Sequence, residues 1–263
     1  IVPSFTWIAC ANAVVLNGLR PVFCDVDLES GNMRPEDIEP KISPKTSAIM
    51  VVHYAGKPVD MDGIREFGFP IVEDAAHAID SYYKGQHCGT LGDVGIFSFD
   101  AVKNLTTGEG GGMFAKDLEK TQQARTLRYC GIAKSGFQAS QSHARWWEYD
   151  IQSFFPKMLN NDIAAGIGLA QLEKLSKFQA KRKTMWERYT YIIQSEGWAK
   201  DWLKPPQGPE DHEQHSYFTY LIQLNYGSRD ELAHFLLENG VYTSLRFHPL
   251  HLNAIYQSDA SLP

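Results

Sequence analysis

Short apolar runs alternate with stretches of helical spacing along the first half of the chain. The runs are continuous and rich in β-branched residues, which is typical of strands that are buried on both faces. A repeated order of strand and helix predicts a mostly parallel central sheet with helices on both faces, and therefore an α/β fold. The predicted strands cover residues 21–27, 48–53, 69–74, 94–99 and 112–115.

Helix start and stop residues support this order. Ser4 or Thr6 can cap a first helix that Gly18 ends, and Asp117 can cap a later helix that reaches about residue 128. Two shorter helices are predicted over residues 36–41 and 60–67.

The second half begins with a long segment, residues 131–159, that has no regular period and is rich in aromatic side chains. A loop of this length usually carries function or forms an interface, so it either covers a substrate or packs between subunits. A long helix is predicted next, over residues 162–191, and it is apolar nearly all round at first and polar later. That change predicts a buried start and a protruding end.

A proline-rich break at residues 205–209 precedes the last predicted elements. These are a strand over residues 217–224, a helix over residues 230–239 and a strand that leads to Arg246.

We therefore predict a large domain over residues 1–191 and a smaller α/β domain over residues 192–263. The chain begins with Ile1, inside an apparent strand end, and stops soon after a strand-like segment. We expect missing structure at both ends, and so a truncated C-terminal domain.

The composition narrows the range of partners and compartments. A chain of 263 residues, 43% of them hydrophobic, can bury a sizeable core. The net charge is −6 and there is no basic stripe, which argues against nucleic acid and anionic membranes as partners. The apolar runs are far shorter than a membrane span. The four cysteines are scattered without the spacing of a metal site, so we predict no metal and reduced thiols in a cytoplasmic protein.

One stretch, residues 97–112, carries a single lysine, Lys103, among small, hydroxylated and glycine residues. Its glycines exclude an ordinary helix interior, so we place it on a turn between two strands. A lysine near the ends of buried strands is partly desolvated, which disfavours its charged form, and a neutral amine can attack a carbonyl carbon. A solvated lysine in a surface loop is the ordinary alternative, and the neighbouring residues decide between the two.

An acidic residue at another strand end, Asp74, could bind the same ligand as this amine. Ligands of parallel sheets lie beyond the carboxyl ends of the strands, where Asp74 and Lys103 are both expected. Pyridoxal phosphate needs a lysine for its aldehyde and a carboxylate that keeps its ring nitrogen protonated. Ser98 could bind the phosphate, His77 could hold the Asp74 carboxylate or the ring oxygen, and Trp7 could lie on the ring face. Each also has an ordinary interpretation: Asp74 as a helix cap, His77 as a core histidine and Trp7 as plain core.

Short motifs spread over nearly the whole chain agree with this interpretation. They are Val-Pro-Ser-Phe-Thr at 2–6, Pro-Val-Asp-Met-Asp at 58–62, Glu-Asp-Ala-Ala-His-Ala at 73–78, Gly-Asp-Val-Gly-Ile-Phe-Ser-Phe at 92–99, Lys-Asn-Leu-Thr-Thr-Gly-Glu-Gly-Gly at 103–111 and His-Pro-Leu-His at 248–251. Their sequence and order resemble the DegT/DnrJ/EryC1/StrS family of pyridoxal-phosphate-dependent nucleotide-sugar aminotransferases. The resemblance implies the aspartate aminotransferase fold.

The resemblance also implies a role for each matched position. Lys103 would hold the cofactor through its amine and move the proton in each half of the reaction. Asp74 would pair with the pyridine nitrogen, and Trp7 would stack on the ring. His77 would touch the cofactor oxygen, and Ser98 would bind the phosphate.

The family further implies a homodimer in which a partner subunit completes each active site through the loop before the long helix. Here that loop covers residues 155–162, and Lys157 or Asn160 would make the cofactor contact. The loop departs from the more common Tyr-Asn-Tyr-Arg-Met pattern. The family's Gly-Thr phosphate loop would lie upstream of the first motif.

The implied activity is transfer of an amino group from glutamate to a keto group of a nucleotide-linked hexose. The run at 103–111 resembles enzymes that aminate C4 of a 4-keto-6-deoxy sugar, and a C3-specific enzyme is an alternative. Dehydratases of the family carry histidine in place of the lysine, so Lys103 favours transamination. A non-catalytic or regulatory binding protein with the same fold is a further alternative, against which the pair of Asp74 and Lys103 argues.

Overall fold

The computed structural model describes residues 1–133 and 149–257, and its first elements are a small parallel strand pair and a helix. β1 (Val2–Pro3) pairs with β2 (Phe23–Cys24), and α1 (Ala9–Leu16) connects the two strands. The next elements are α2 (Pro35–Ile38), a 3₁₀ turn (Glu39–Lys41), β3 (Ile49–Val52), a second 3₁₀ turn (Tyr54–Gly56), α3 (Met61–Arg65) and β4 (Ile71–Asp74).

The helix α1 begins later than predicted. Its N-cap is Ile8, without a side-chain hydrogen bond, so neither Ser4 nor Thr6 is the cap. Both hydroxyls have other neighbours: Ser4 Oγ lies 2.5 Å from His251 Nδ1, and Thr6 Oγ1 lies 3.5 Å from the Cys10 sulfur. The predicted stop at Gly18 is confirmed, because Gly18 adopts φ 70° and its N–H closes the last turn on Val15 O at 2.9 Å.

A hairpin of two-residue strands, β5 (Tyr82–Tyr83) and β6 (Gln86–His87), follows β4 and was not predicted, because so short a strand leaves no hydrophobic period. β7 (Val94–Ser98), β8 (Gly111–Ala115) and α4 (Leu118–Leu127) agree with the predictions. Asp117 caps α4 by accepting the N–H of Glu119 at 2.8 Å.

The central sheet has the strand order β3-β4-β7-β8. The first three strands run parallel, and β8 pairs antiparallel with β7. The sheet is therefore mostly parallel, as predicted. Asp74 pairs in register with Ile96 of β7, so Ser98 lies just beyond Asp74 at the same edge of the sheet.

The long helix predicted over residues 162–191 is two helices, α5 (Asp162–Leu172) and α6 (Leu175–Ser195). The predicted buried start is also wrong within one chain, because α5 has no buried residue, whereas α6 buries Gln179, Trp186 and Ile193. The apolar sequence of α5 predicts burial, and within this chain its apolar side chains are exposed.

The C-terminal part contains β9 (Leu203–Lys204), β10 (Glu213–Gln214), β11 (Gln223–Leu224), α7 (Arg229–Glu238), a 3₁₀ turn (Leu250–Leu252) and α8 (Ala254–Gln257). The strand predicted over residues 217–224 is thus reduced to its last two residues, and the strand predicted up to Arg246 is not formed. β10 pairs with β5 of the N-terminal half, and β11 pairs with β9. A domain boundary after residue 191 stays a prediction.

The main core lies on β3, β4 and the helices next to them. Its fully buried side chains include Ile38, Ile49, Val51, Met61 and Ile64. All four cysteines are free. Within the described ranges, no helix combines the length and the apolar character that a membrane crossing needs.

Candidate active site

The carboxylate of Asp74 is buried at the end of β4 and held on both oxygens. Oδ1 accepts the N–H of Ala76 at 2.9 Å, and Oδ2 accepts the thiol of Cys10 at 3.0 Å. Burial, together with the negative charge of Asp74, raises the pKa of the Cys10 thiol, so the thiol keeps its proton and continues to donate. The segment after Asp74 is a turn, so the helix-cap interpretation is wrong.

Lys103 lies half-buried on the turn between β7 and β8. Its Nζ lies 4.9 Å from the centroid of the Phe218 ring. Burial lowers the pKa of Lys103; the nearby charge of Asp74 opposes this and that of Arg246 adds to it. Asp74, at the end of β4, and Lys103, on the turn after β7, lie at the same edge of the sheet. In the described ranges, no hydrogen bond or ion pair reaches Nζ.

Backbone hydrogen bonds close the turn that carries Lys103. Thr107 N donates to Phe99 O at 2.8 Å, and Phe99 N donates to Gly110 O at 2.8 Å. Gly110 has φ 152°, which a residue with a side chain rarely adopts, and a Cβ there would meet the Thr107 hydroxyl at 2.5 Å. The turn therefore requires a glycine at position 110 for a steric reason.

His77 is buried and stacks on the Phe218 ring at a centroid distance of 4.2 Å and an interplanar angle of 21°. Its Nδ1 accepts the N–H of Ala55 at 3.3 Å, so the neutral ring carries its proton on Nε2. Burial, followed by the charges of Lys103 and Arg246, holds the pKa of His77 well below its usual range. No described hydrogen bond joins His77 to the Asp74 carboxylate, whose oxygens accept from Cys10 and Ala76.

Trp7 and Ser98 lie at the margins of this cluster. Trp7 is 59% exposed, so the plain-core interpretation is wrong, and its ring lies 5.8 Å from that of Phe247. Phe247 is in turn nearly parallel to His77, at 6.1 Å and 16°. Ser98 is half-buried at the end of β7, and its Oγ accepts the N–H of Asp100 at 3.4 Å. The described contacts join Trp7 to the cluster but do not join Ser98 to it.

The loop before α5 lies beside the lysine turn of its own chain. A Cβ on Gly110 would lie 3.1 Å from Asn160 Nδ2. Lys157 is exposed and forms a backbone bridge with Tyr129. The predicted contact of Lys157 or Asn160 with a partner subunit's cofactor stays a prediction. Residues 134–148 of the predicted covering loop lie outside the described residues.

A buried serine, Ser216, attaches the Phe218 segment to several parts of the chain. Ser216 Oγ donates to His77 O, and Ser216 N donates to Gly56 O at 3.3 Å. Ser216 O accepts from Asn104 Nδ2 at 2.7 Å and from Gln179 Nε2 at 3.0 Å. The segment uses its polar backbone groups in these contacts and not in a sheet, which explains why no strand forms here.

A second layer of hydrogen bonds lies directly behind Asp74. The fully buried carboxylate of Glu73 accepts from His53 Nε2 and from Gly89 N, both at 2.8 Å, and also from Gly92 N. Val59 N donates to His53 Nδ1 at 3.1 Å, which fixes the donor at Nε2. Although burial raises the pKa of Glu73, these hydrogen bonds outweigh it and keep the pKa below its usual range. The network fixes the strand end that presents Asp74.

Sequence reasoning did not find Cys10, Phe218, Arg246 or Phe247. A weak signal existed for Cys10, which lies one helical turn after Thr6 and so could face the same side as the predicted site. Phe218 read as one more apolar residue of a strand. No local pattern indicated that it would meet Lys103, 115 positions earlier in the chain.

The chain matches a family model. The model of the DegT/DnrJ/EryC1/StrS aminotransferase family covers residues 1–263. The chain belongs to this family. It is therefore an aminotransferase, and the resemblance in its motifs is confirmed.

Individual aminotransferases are similar to this chain over nearly its whole length. A dTDP-4-dehydro-2,3,6-trideoxy-D-glucose 4-aminotransferase from Saccharopolyspora spinosa is 38% identical over a 268-residue alignment that covers 100% of this chain and 69% of the relative. The crystal structure of the aminotransferase TlmJ from Streptoalloteichus hindustanus matches with a TM-score of 0.89 at 39% identity, over 100% of this chain and 69% of that one. A putative sugar aminotransferase from Streptococcus pneumoniae, solved in a PMP-form, matches with a TM-score of 0.88 at 28% identity, over 97% and 69% of the two chains. Its PLP-form matches with a TM-score of 0.85 at 27% identity, over 97% and 68%.

Proposed function

We propose that this aminotransferase moves an amino group from glutamate to the C4 keto group of a nucleotide-linked 4-keto-6-deoxy hexose, with pyridoxal phosphate as its cofactor. The observation that carries the proposal is the half-buried Lys103 amine, which lies on the turn after β7 at the sheet edge where β4 presents the Asp74 carboxylate. The name of the Saccharopolyspora spinosa relative supports C4 and a keto-sugar nucleotide. The run at residues 103–111 supports the same carbon.

The residues present fit pyridoxal phosphate. The Lys103 amine has no hydrogen-bond or ion-pair partner in the described ranges, so it is free to take an aldehyde. The Asp74 carboxylate is buried and already oriented by two donors. The exposed face of Trp7 offers an aromatic surface at the site. The PLP-form and PMP-form of the Streptococcus pneumoniae relative support the same cofactor.

When bound, the cofactor supplies an aldehyde that takes up the amino group and a ring that withdraws electrons from the reacting carbon. Asp74 would hold the ring nitrogen in its protonated state, because an ion pair is strong where water is excluded. The exposed face of Trp7 would stack on the ring and His77 would touch its oxygen, while Ser98 would donate to the phosphate.

Lys103 would move the proton in both halves of the reaction. The lowered pKa gives the amine a larger neutral fraction near neutral pH than a solvated lysine has, and a neutral Nζ can accept a proton from the substrate carbon. The same Nζ would then give this proton to the carbon on the other side of the transferred nitrogen, which is the carbon of the cofactor's aldehyde group.

We also propose that the protein is a homodimer with shared active sites. The apolar side chains of α5 support this, because Ile163 is 78% and Leu169 is 67% exposed, and exposed apolar patches of this kind mark interfaces. Lys157 or Asn160 of one subunit would contact the cofactor of the other. The free cysteines support a cytoplasmic location.

The test is amination of a panel of keto-sugar nucleotides by the protein with glutamate and cofactor. We expect a product aminated at C4, and an absorbance band at the edge of the visible that borohydride abolishes. Lys103→Arg keeps the charge but cannot supply a neutral amine, so turnover should fall by at least about 1,000-fold, whereas the exposed control Lys200→Arg should leave it unchanged.

Three outcomes would contradict parts of the proposal. Amination at C3 would overturn the assigned carbon. A strong preference for another amino donor would overturn glutamate. Absence of the absorbance band, with no amination of any sugar, would overturn the proposed activity itself.

A further inference from the structure

Two cations share one aromatic ring in this site. The Cζ of Arg246 lies 5.6 Å from the centroid of Phe218, and the Nζ of Lys103 lies 4.9 Å from the same centroid. Both distances are within the range in which a cation is attracted to an aromatic face. The guanidinium therefore reaches the immediate surroundings of the reacting amine.

The backbone of Arg246 is held by its neighbours, whereas its guanidinium has few contacts. Tyr54 OH donates to the carbonyl oxygen of Arg246, and the following residue, Phe247, stacks on His77. The guanidinium itself makes one weak hydrogen bond, from Nε to Ser244 Oγ at 3.4 Å. Its two Nη groups have no acceptor among residues 1–133 and 149–257, and no carboxylate there lies within ion-pair distance.

An unpaired cation beside a second cation is unfavourable. The charge of Arg246 lowers the pKa of Lys103 and the pKa of His77, so it destabilises positive charge at both neighbours. A half-buried guanidinium of this kind is stabilised when two parallel N–H groups meet a carboxylate or phosphate. Among residues 1–133 and 149–257, no negative group is paired with this guanidinium.

We propose that Arg246 binds an oxyanion of the substrate directly beside Lys103. This inference rests on the proposed function, because it takes the Lys103 amine as the reacting group. Two parts of the proposed substrates carry an oxyanion: the carboxylate of the amino donor and the phosphates of the sugar nucleotide. The carboxylate is favoured, because it is bonded directly to the carbon that reacts at Lys103.

Filling this site would change the basicity of Lys103. The titratable groups that act on Lys103 are Asp74 from β4, Asp100 from its own turn, the neutral Cys10 thiol from α1, and Arg246. An oxyanion on Arg246 cancels the one cation in this set, so the pKa of Lys103 should rise on binding. Substrate would thus make the amine a stronger base at the moment when a proton must be moved.

Calorimetric titration can test the site with two probes that cannot react. The protein with bound cofactor is titrated with glutarate, a dicarboxylate without an amino group, and separately with a nucleoside diphosphate. The variants are Arg246→Gln, Arg246→Lys, and the control Arg229→Gln, which removes an exposed guanidinium from α7 that is paired with Asp230.

We expect Arg246→Gln to weaken the binding of one probe by at least about tenfold, which corresponds to the loss of a charge-assisted bidentate contact. Arg246→Lys should weaken it less, and Arg229→Gln should leave it unchanged. Weaker glutarate binding assigns the site to the donor carboxylate, and weaker nucleotide binding assigns it to phosphate. In cofactor-free protein, acylation of Lys103 at several pH values should show a rise in the pKa of Lys103 on probe binding, and Arg246→Gln should abolish this rise.

Unchanged affinity of Arg246→Gln for both probes would overturn the inference, and so would a wild-type protein that binds neither probe. The proposed function fails separately. If the wild-type protein takes up cofactor and aminates a sugar while Arg246→Gln binds both probes normally, only the role of Arg246 is wrong. If the wild-type protein takes up no cofactor, the proposed function is wrong as well.

Discussion

Phe218 organises the candidate active site at the scale of single residues. One face of its ring lies under His77, and the same ring carries the Lys103 amine and the Arg246 guanidinium. The ring therefore excludes water from Lys103 and at the same time attracts its charged form. These two effects change the pKa of Lys103 in opposite directions, so substitutions can separate them.

Replacement of Phe218 by Leu keeps an apolar neighbour but removes the aromatic face. The protonated amine loses its attraction to the ring, so the pKa of Lys103 should fall by roughly half a unit to one unit. Phe218→Ala admits water as well, so the pKa of Lys103 should be higher in Phe218→Ala than in Phe218→Leu. The pH dependence of Lys103 acylation, followed by mass spectrometry on cofactor-free protein, measures both. Phe235→Leu, at an exposed position of α7, is the control, and an unchanged pKa in Phe218→Leu would refute the argument.

The sequence predicted only part of these residues. Asp74, His77 and Lys103 could be found because each lies at a strand end within a short motif. Phe218 and Arg246 could not, because they meet Lys103 through contacts between distant parts of the chain, and one apolar residue in an apolar run carries no sign of its neighbour. Their roles, and those of Trp7 and Ser98, are still predictions about chemistry.

Among the secondary-structure elements, the end of β4 is fixed by one buried carboxylate, that of Glu73. Glu73 links β4 to His53 at the end of β3 and to two N–H groups of the segment that leads into β7. This arrangement sets the strand end that presents Asp74. A carboxylate that accepts several hydrogen bonds in a dry interior is costly to alter, because the donors are left without an acceptor.

Glu73→Gln tests this network. The amide presents an NH₂ group where the carboxylate presents an acceptor, so at least one buried N–H loses its partner. We expect the free energy of unfolding to fall by about 3 kcal/mol, measured by urea denaturation. Glu66→Gln, at an exposed position near the end of α3, should change it by less than about 0.5 kcal/mol. Equal effects of the two substitutions would contradict the assigned role of Glu73.

Most elements of the fold followed from hydrophobic period and capping residues, and the exceptions have physical causes. The helix over residues 162–191 has a continuous helical period, which does not reveal the break between α5 and α6. The segment at residues 217–222 has the composition of a strand, yet at its start the backbone of Ser216 and Phe218 bonds to Gly56, Ala55 and the Asn104 side chain. In each case tertiary contacts decided the outcome, and a local pattern does not contain them.

The apolar surface of α5 bears on the whole molecule. If this surface packs between two subunits, a charge placed on it should separate them, because a desolvated carboxylate without a partner is unfavourable. We expect Leu169→Asp to shift the protein from dimer to monomer in sedimentation velocity measurements. Leu118→Asp, at an 83% exposed position of α4, should leave the dimer intact. A wild-type protein that sediments as a monomer, or a Leu169→Asp variant that stays dimeric, would refute the proposed interface.

The stability of the whole molecule should depend on pH through a buried histidine. Burial, together with the charge of Lys57, lowers the pKa of His215 to about 3 from its ordinary 6.5. Below pH 6.5 the unfolded chain takes up a proton that the folded chain refuses, so the free energy of unfolding falls as the pH drops from 6.5 toward 3. His215 alone should contribute a loss of about 2 kcal/mol between pH 7 and pH 5.

Urea denaturation at both pH values measures this loss. His215→Gln should reduce the difference in stability between pH 7 and pH 5, whereas His234→Gln, at an exposed position of α7, should leave it unchanged. A pH dependence that is the same in wild type and His215→Gln would show that other groups cause it.

The attachment of Ser216 to His77, Asn104 and Gln179 has a consequence for the newly made protein. During translation the ribosome releases Lys103 long before it releases Phe218, so for that interval the nascent chain carries an ordinary, hydrated lysine. When residues 215–218 dock, the Phe218 ring covers part of the amine, and this burial lowers the pKa of Lys103. The cell therefore meets a nucleophile only after most of this chain has been synthesised and folded.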